Sequence, residues 1–188
     1  MTHLAVPKTY KLAIGGAFPR SESGRTYAVA DAEGNFVANA AKASRKDARD
    51  AVVAARAAVK GWSGATAYNR GQVLYRIAEL LEGRRAQFVD EITRLEGVSA
   101  AVANAQVDAA IDLWIWYAGW TAKHAQVAGN GNAVSGPYFN ISVPEPTGVV
   151  AVIVPQGSSL LGFVSAVAPP LVTGNTVVAI ASERFPLS

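Results

Sequence analysis

Cysteine is absent from the 188 residues. Within them, that excludes disulfides, a cysteine metal site and a thiol nucleophile. Charge is scarce too: Asp, Glu, Lys and Arg make up 16 % of the sequence, against about 25 % in typical soluble domains. With 51 % apolar residues, a free-standing domain of this size would have apolar surface to hide, so burial against further chain or other subunits is expected. The 17 basic and 14 acidic residues leave a net charge of +3. The basic residues do not form runs, which gives no support to nucleic-acid binding. The start, MTHLAVPKTYKLAIGG, lacks a basic head followed by an apolar core. No secretory signal is expected, and a cytoplasmic location is the default. His3 sits near the terminus and His124 near a helix end, where it reads as a surface residue. Asp108 and Asp112, four apart on one helix face, are too few for a metal site, and none is expected.

What the sequence has instead is a 37-residue run without formal charge, Pro146 to Ser182, between Glu145 and Glu183. Two β-branched stretches, Val149–Val154 and Thr176–Ile180, flank a helical segment from about Ser158 to Val172. Strands apolar on both faces belong in a sheet covered on both sides. The expected fold class is therefore α/β, with the opening strand–helix–strand of a parallel sheet. A sheet that has only begun where the sequence stops suggests part of something larger. A membrane span is not expected, because Pro155 to Ser159 and Pro169 to Asn175 interrupt the run before it reaches about 20 apolar residues.

Toward the N-terminus, Lys11–Ile14 alternates and Gly15-Gly16 supplies the positive-φ pair of a tight hairpin. Thr26–Ala30 and Asn35–Val37 are short extended candidates around Glu33-Gly34. Ser44 opens a helix with Asp47 in the capping-box position, and Ala48, Val52, Ala55, Val59 and Trp62 fall on one face. A second helix is expected from about Tyr68 to Leu95, with Leu74, Ile77, Leu81, Phe88, Ile92 and Leu95 as its stripe and Gly97 as its C-cap. A third runs from about Ser99 to Gln126. Its centre, Leu113-Trp114-Ile115-Trp116-Tyr117, is bulky all round, as in a helix buried on most sides. The aromatics Trp114, Trp116, Tyr117 and Trp120 read as core, and Arg84-Arg85 as solvated charges. After Gly129 to Asn132, Tyr138–Val143 alternates like a strand and lacks an evident partner, so a neighbouring subunit's sheet is the expected one.

Several of these segments together resemble the N-terminal portion of the aldehyde dehydrogenase superfamily. They are the Gly15-Gly16 hairpin, Trp62 followed by Arg70-Gly71-Gln72-Val73-Leu74-Tyr75-Arg76-Ile77-Ala78, and Trp116-Tyr117-Ala118-Gly119-Trp120. Further on come Glu145-Pro146-Thr147-Gly148-Val149-Val150, Ala168-Pro169, Gly174-Asn175-Thr176-Val177-Val178 and Pro186-Leu187, in the same order and spacing. The resemblance implies a Rossmann-like domain that binds NAD or NADP, and oxidation of an aldehyde to an acid by a cysteine nucleophile and a glutamate base. Neither catalytic group of the family falls within these 188 residues. The strand at Tyr138–Val143 coincides with the family's oligomerisation arm. That implies a homo-oligomer, or a hetero-oligomer with an aldehyde dehydrogenase subunit.

Carried over residue by residue, the resemblance also implies a site with departures. The family's first nucleotide-domain strand ends in Pro-Trp-Asn, whose asparagine helps hold the developing oxyanion. Here it ends Val154-Pro155-Gln156-Gly157, and Gly157 has no side-chain donor. The family's second strand leads into a lysine and a glutamate that bind the adenosine ribose. Here Ile180 stands at the lysine position, followed by Ala181, Ser182 and Glu183. Cofactor-facing positions are thus Val154, Pro155, Gln156, Ser182 and Glu183. Glu183 is either a ribose ligand or a solvated strand-end charge, and Ser182 either sits beside a ribose phosphate or turns the chain. Tunnel-facing positions are Ala109, Ser158, Leu161 and Ser165; they imply a wide tunnel, with core packing as the other reading. The expected parts are an N-terminal hairpin and helical part over 1–132, an arm over 133–147, and the first strand–helix–strand over 148–188. Two roles follow: the N-terminal portion of a dehydrogenase, or a non-catalytic homologue that supports assembly.

Overall fold

The computed structural model of the protein describes residues 8–186. His3, the leader reading over Met1 to Pro7, and Leu187 of the Pro186-Leu187 motif lie outside them. Gly15 and Gly16 have φ of 59° and 79°, and Ile14 and Ala17 exchange both backbone hydrogen bonds at 3.0 Å. The glycine pair thus makes the expected hairpin turn. Strand β1 (Thr9–Tyr10) pairs parallel with β3 (Phe36–Ala41), which pairs antiparallel with β2 (Thr26–Ala30). Two residues carry no periodicity, so β1 has no signature in the sequence. Similarly, the expected Asn35–Val37 strand runs on to Ala41.

Helix α1 (Arg45–Gly64) starts with the expected capping box between Ser44 and Asp47. Asp47 does more than cap. Its carboxylate accepts from Ser21 Oγ at 2.7 Å, the Ser44 N–H at 2.8 Å and the Glu22 N–H at 3.1 Å. These donors, the Ser21 hydroxyl first, pull the carboxyl down to about 2 from its ordinary 3.8. A depressed folded-state pKa contributes stability that is present above the ordinary value and lost as the pH falls toward the folded one. The denaturant midpoint is therefore expected to fall between about pH 4 and pH 2, and Asp47→Asn to weaken the protein at pH 5 and flatten that acid limb. Measuring the midpoint against pH in both proteins checks this. Because Asp47 turns inward, the buried side of α1 shifts: Ala55, Val59 and Trp62 face the interior as expected, but Ala48 and Val52 are exposed.

The expected second helix is two: α2 (Ala67–Glu82) and α3 (Arg85–Glu96). Arg84 leaves the helical region at φ −116° and ψ 15°. Leu74, Leu81, Ile92 and Leu95 are all buried, with Ile77 and Phe88 packed beside the core. The stripe is correct, but its unbroken phase conceals the corner. The third helix also divides, into α4 (Ala100–Trp120) and α5 (His124–Ala128), and Thr121 Oγ1 donates to Ala118 O at 2.8 Å at the break. The centre of α4 is not buried all round. Trp114 is 4 % exposed, whereas Ile115 and Trp116 are 41 % and 54 % exposed. Helices α2 and α4 touch at Gly71, where an added Cβ would lie 2.7 Å from Thr121 Oγ1 and 3.0 Å from Ala118 O.

A short hairpin follows. Strand β4 (Asn130–Asn132) pairs antiparallel with β5 (Asn140–Ser142), so the alternating segment has a partner within the chain. Tyr138, Phe139, Ile141 and Val143 nevertheless remain exposed on it. Next come β6 (Val149–Ile153), α6 (Ser159–Val172) and β7 (Thr176–Ile180), the parallel unit read from the uncharged run. Helix α6 covers one sheet face, meeting Val152, Val177 and Ala179. On the other face Thr176 Oγ1 donates to Ala55 O of α1 at 3.0 Å. That cover does not reach the carboxyl end, where the register partners Ile153 and Ile180 are 77 % and 59 % exposed. At the opposite end the Asn175 side chain accepts from the Gly148 N–H at 2.9 Å and from Thr147 Oγ1 at 3.0 Å, and donates to Thr173 Oγ1 at 2.7 Å. Among the described residues, no helix is long and apolar enough to cross a membrane.

Candidate functional site

The carboxyl ends of β6 and β7 bring the sequence-derived cofactor positions together. Val154 is buried and its N–H bonds to Ile180 O at 3.0 Å, continuing the ladder by one step. Gln156 then ties the two strand ends. Its backbone oxygen accepts from Ser182 Oγ at 3.1 Å, and its Oε1 accepts from Ser182 Oγ at 3.3 Å and the Arg184 N–H at 3.1 Å. Ser182 Oγ also accepts from the Phe185 N–H at 3.0 Å, so this buried hydroxyl organises a turn. Phe185 in turn packs on the small cluster of Val29, Ala40 and Leu95.

Glu183 is exposed beside this turn. Burial first, and the Glu183 charge second, push the Tyr27 phenol of β2 above its ordinary value, so the strand end and the N-terminal sheet share one electrostatic neighbourhood. Ile180, at the position the resemblance gives to a lysine, presents an exposed apolar side chain. Gly157 is exposed, and a Cβ added to it would meet nothing within 4 Å. The two strand ends thus present one exposed carboxylate, Glu183, and one exposed apolar side chain, Ile180. The Ser182 hydroxyl proton is spent on Gln156, whose Oε1 also holds the turn through the Arg184 N–H.

The tunnel positions are more scattered. Ala109 lines a shallow groove on α4 with Asp112, Leu113, Trp116 and Tyr117. Ser158, Leu161 and Ser165 do not line it. Leu161 packs against the main core, and Ser165 Oγ donates to Gly162 O at 2.9 Å. Trp116 contacts Tyr117 edge-on at 4.8 Å between ring centroids and Trp120 at 5.2 Å, so of the aromatic cluster only Trp114 is fully core. Arg85 is not simply solvated: it joins Glu82 at 2.6 Å and pairs with Asp108 across to α4. Among the described residues no group of His, Cys, Asp or Glu is arranged to hold a metal ion.

One residue with no sequence signal stands at this site. Glu96, the last residue of α3, accepts at Oε1 from the Ser159 N–H and Oγ at the start of α6. The two residues are 63 apart in sequence, so no local pattern marks the pairing.

A parallel strand–helix–strand, with helices packed against it and an exposed hairpin alongside, defines an α/β protein. The aldehyde dehydrogenase family model matches residues 18–188, and the chain belongs to that family. It is 35 % identical over 187 residues to human retinal dehydrogenase 2, covering 96 % of this chain and 35 % of that protein. To the mitochondrial benzaldehyde dehydrogenase of Antirrhinum majus it is 32 % identical, covering 95 % and 34 %. The structure superposes on the NAD+ complex of the Bacillus cereus aldehyde dehydrogenase with a TM-score of 0.90 at 29 % identity, over 96 % of this chain and 37 % of that one. The chain thus spans about a third of the length of the relatives it matches.

Proposed function

We propose that these 188 residues form the N-terminal portion of an NAD(P)-dependent, aldehyde-oxidising protein. The observation that carries this reading is the family match over nearly the whole described length. In it, β6, α6 and β7 open the nucleotide-binding sheet, and Val154, Pro155, Gln156, Ser182 and Glu183 are the cofactor-facing edge. The nicotinamide, when bound, accepts the hydride. Within this chain no thiol exists to attack an aldehyde, so turnover requires a nucleophile from outside these residues. The β4–β5 hairpin, with Phe139 89 % exposed, is the arm through which a subunit of the same kind would dock. Ser158, Leu161, Ser165 and Ala109 would give a wide substrate tunnel.

A second reading is a non-catalytic homologue that supports assembly. Its specific support is the pair Gly157 and Ile180, where the residue types needed for the oxyanion and the ribose are both missing. Melting temperature with and without NAD separates the two. At NAD tenfold above its dissociation constant a single site adds about 1.4 kcal/mol, which raises the midpoint of a chain this size by about 3–6 °C. No rise at millimolar NAD would count strongly against a working nucleotide site in this chain.

A further inference from the structure

The end of α3 and the start of α6 meet through one side chain. Glu96 Oε1 accepts from the Ser159 N–H at 2.9 Å and from Ser159 Oγ at 2.7 Å, and Gln106 Nε2 lies 3.5 Å from Oε2. Ser159 is 3 % exposed and Glu96 half-buried, so these bonds are part-buried. The residue before it provides no cap: Ser158 sits in the left-handed region at φ 50° and ψ 53°, and its side chain bonds to none of the helix N–H groups. A carboxylate in this place accepts from the N–H that opens the helix and suits the positive end of the helix dipole.

A non-glycine residue stays left-handed only where its surroundings over-determine it. Here the Gly162 N–H bonds back to Ser158 O at 2.7 Å, and a Cβ on Gly162 would lie 3.1 Å from Pro155 Cδ. Glu96 stands on firm footing as well. Gly97 after it is left-handed at φ 68°, so close to the N-terminal sheet that an added Cβ would lie 2.7 Å from Ala32 Cβ. The Ala32 N–H donates to Arg94 O at 3.2 Å. The turn between β2 and β3 therefore holds the end of α3, and Glu96 passes that constraint on to α6.

We infer that Glu96 is a positioning residue. It sets the Gly157–Ser158 turn, and with it the placing of Leu161 and Ser165 on α6, by holding the first N–H of the helix. The inference rests on the reading of this turn as part of a cofactor and substrate site, which Glu96 reaches only through Ser159.

The test is amide hydrogen exchange on the 188-residue protein and on Glu96→Ala and Glu96→Gln, with NAD affinity measured on the same three. In Glu96→Ala, exchange at Ser159 to Leu161 is expected to accelerate about tenfold or more while core amides of α2 and α4 keep their rates, as for a local opening. Glu96→Gln keeps an oxygen acceptor and is expected to stay within about threefold of the parent. Ser159→Ala, which removes only the hydroxyl bond, is expected to give a smaller effect confined to the same amides. It keeps the test decisive if Glu96→Ala does not fold. Unchanged exchange at the start of α6, or equal acceleration across α2 and α4, overturns the inference. If the parent binds NAD, Glu96→Ala should bind more weakly and Glu96→Gln as the parent does; equal affinity in all three overturns the positioning role. If the parent does not bind NAD, the reading of the site fails, and exchange alone decides the role of Glu96.

Discussion

Leu74→Ala is expected to lower the unfolding free energy by about 2–5 kcal/mol, the range for truncating a fully buried leucine. Leu74 is 0 % exposed on α2, in the main cluster with Val107, Ala110 and Val164. Two features put the cost toward the upper part of that range. The α2–α4 crossing is already at contact distance through Gly71, so the helices cannot close further over a void. In addition, Ala103, Val107 and Ala110 of α4 are fully buried and too short to fill it. A loss of this size is a large part of the total stability of a small domain. Urea denaturation of the variant would show it as a lower midpoint at unchanged slope. A change under about 1 kcal/mol would mean that the α2–α4 packing is looser than the geometry shows.

The second large effect concerns the site. Ile180→Lys combined with Gly157→Asn is expected to tighten NAD binding if the cofactor edge persists apart from those two positions. A hydrogen bond to a charged group contributes about 1.5–3 kcal/mol, which is about ten- to a hundredfold in affinity. Both substitutions fit the space available: the Ile180 side chain projects into solvent, and nothing lies within 4 Å of a Cβ at Gly157. The lysine should account for nearly all of the gain, because the asparagine faces the aldehyde oxygen in the resemblance and not the ribose. Isothermal titration with NAD on the single and double variants separates the contributions. Affinity identical to the parent's would end the idea of a site that has lost two groups and kept the rest.

Local rules made much of the fold legible. Ser44 with Asp47, Gly15-Gly16 and Gly97 each answer a local backbone requirement, and the structure meets it where the sequence places it. The uncharged run likewise yields β6, α6 and β7, because parallel strands need apolar residues on both faces. The parts that stayed hidden depend on contacts distant in sequence. The corner at Gly83–Arg84 leaves the apolar stripe in phase on both sides, so periodicity cannot show it. Trp116 has the composition of a core residue, but only the packing of α4 reveals that it faces outward. The reading of Gly157 and Ile180 as site positions comes only from the neighbouring motif residues of the resemblance. By contrast, Glu96 acts across a 63-residue separation, and the bonds that Ser182 donates to Gln156 span 26.

The Asn175 side chain has a consequence for how the sheet can grow. Strands repeat every two residues, so a slip of one would turn each side chain of β7 to the opposite face. Asn175 reads the Gly148 N–H and the Thr147 hydroxyl at the same time, and a slipped β7 could not present it to both. The alignment of β6 and β7 is therefore fixed at its first rung as well as by its hydrophobic faces. Any strand added to either edge inherits an alignment already proofread by one amide.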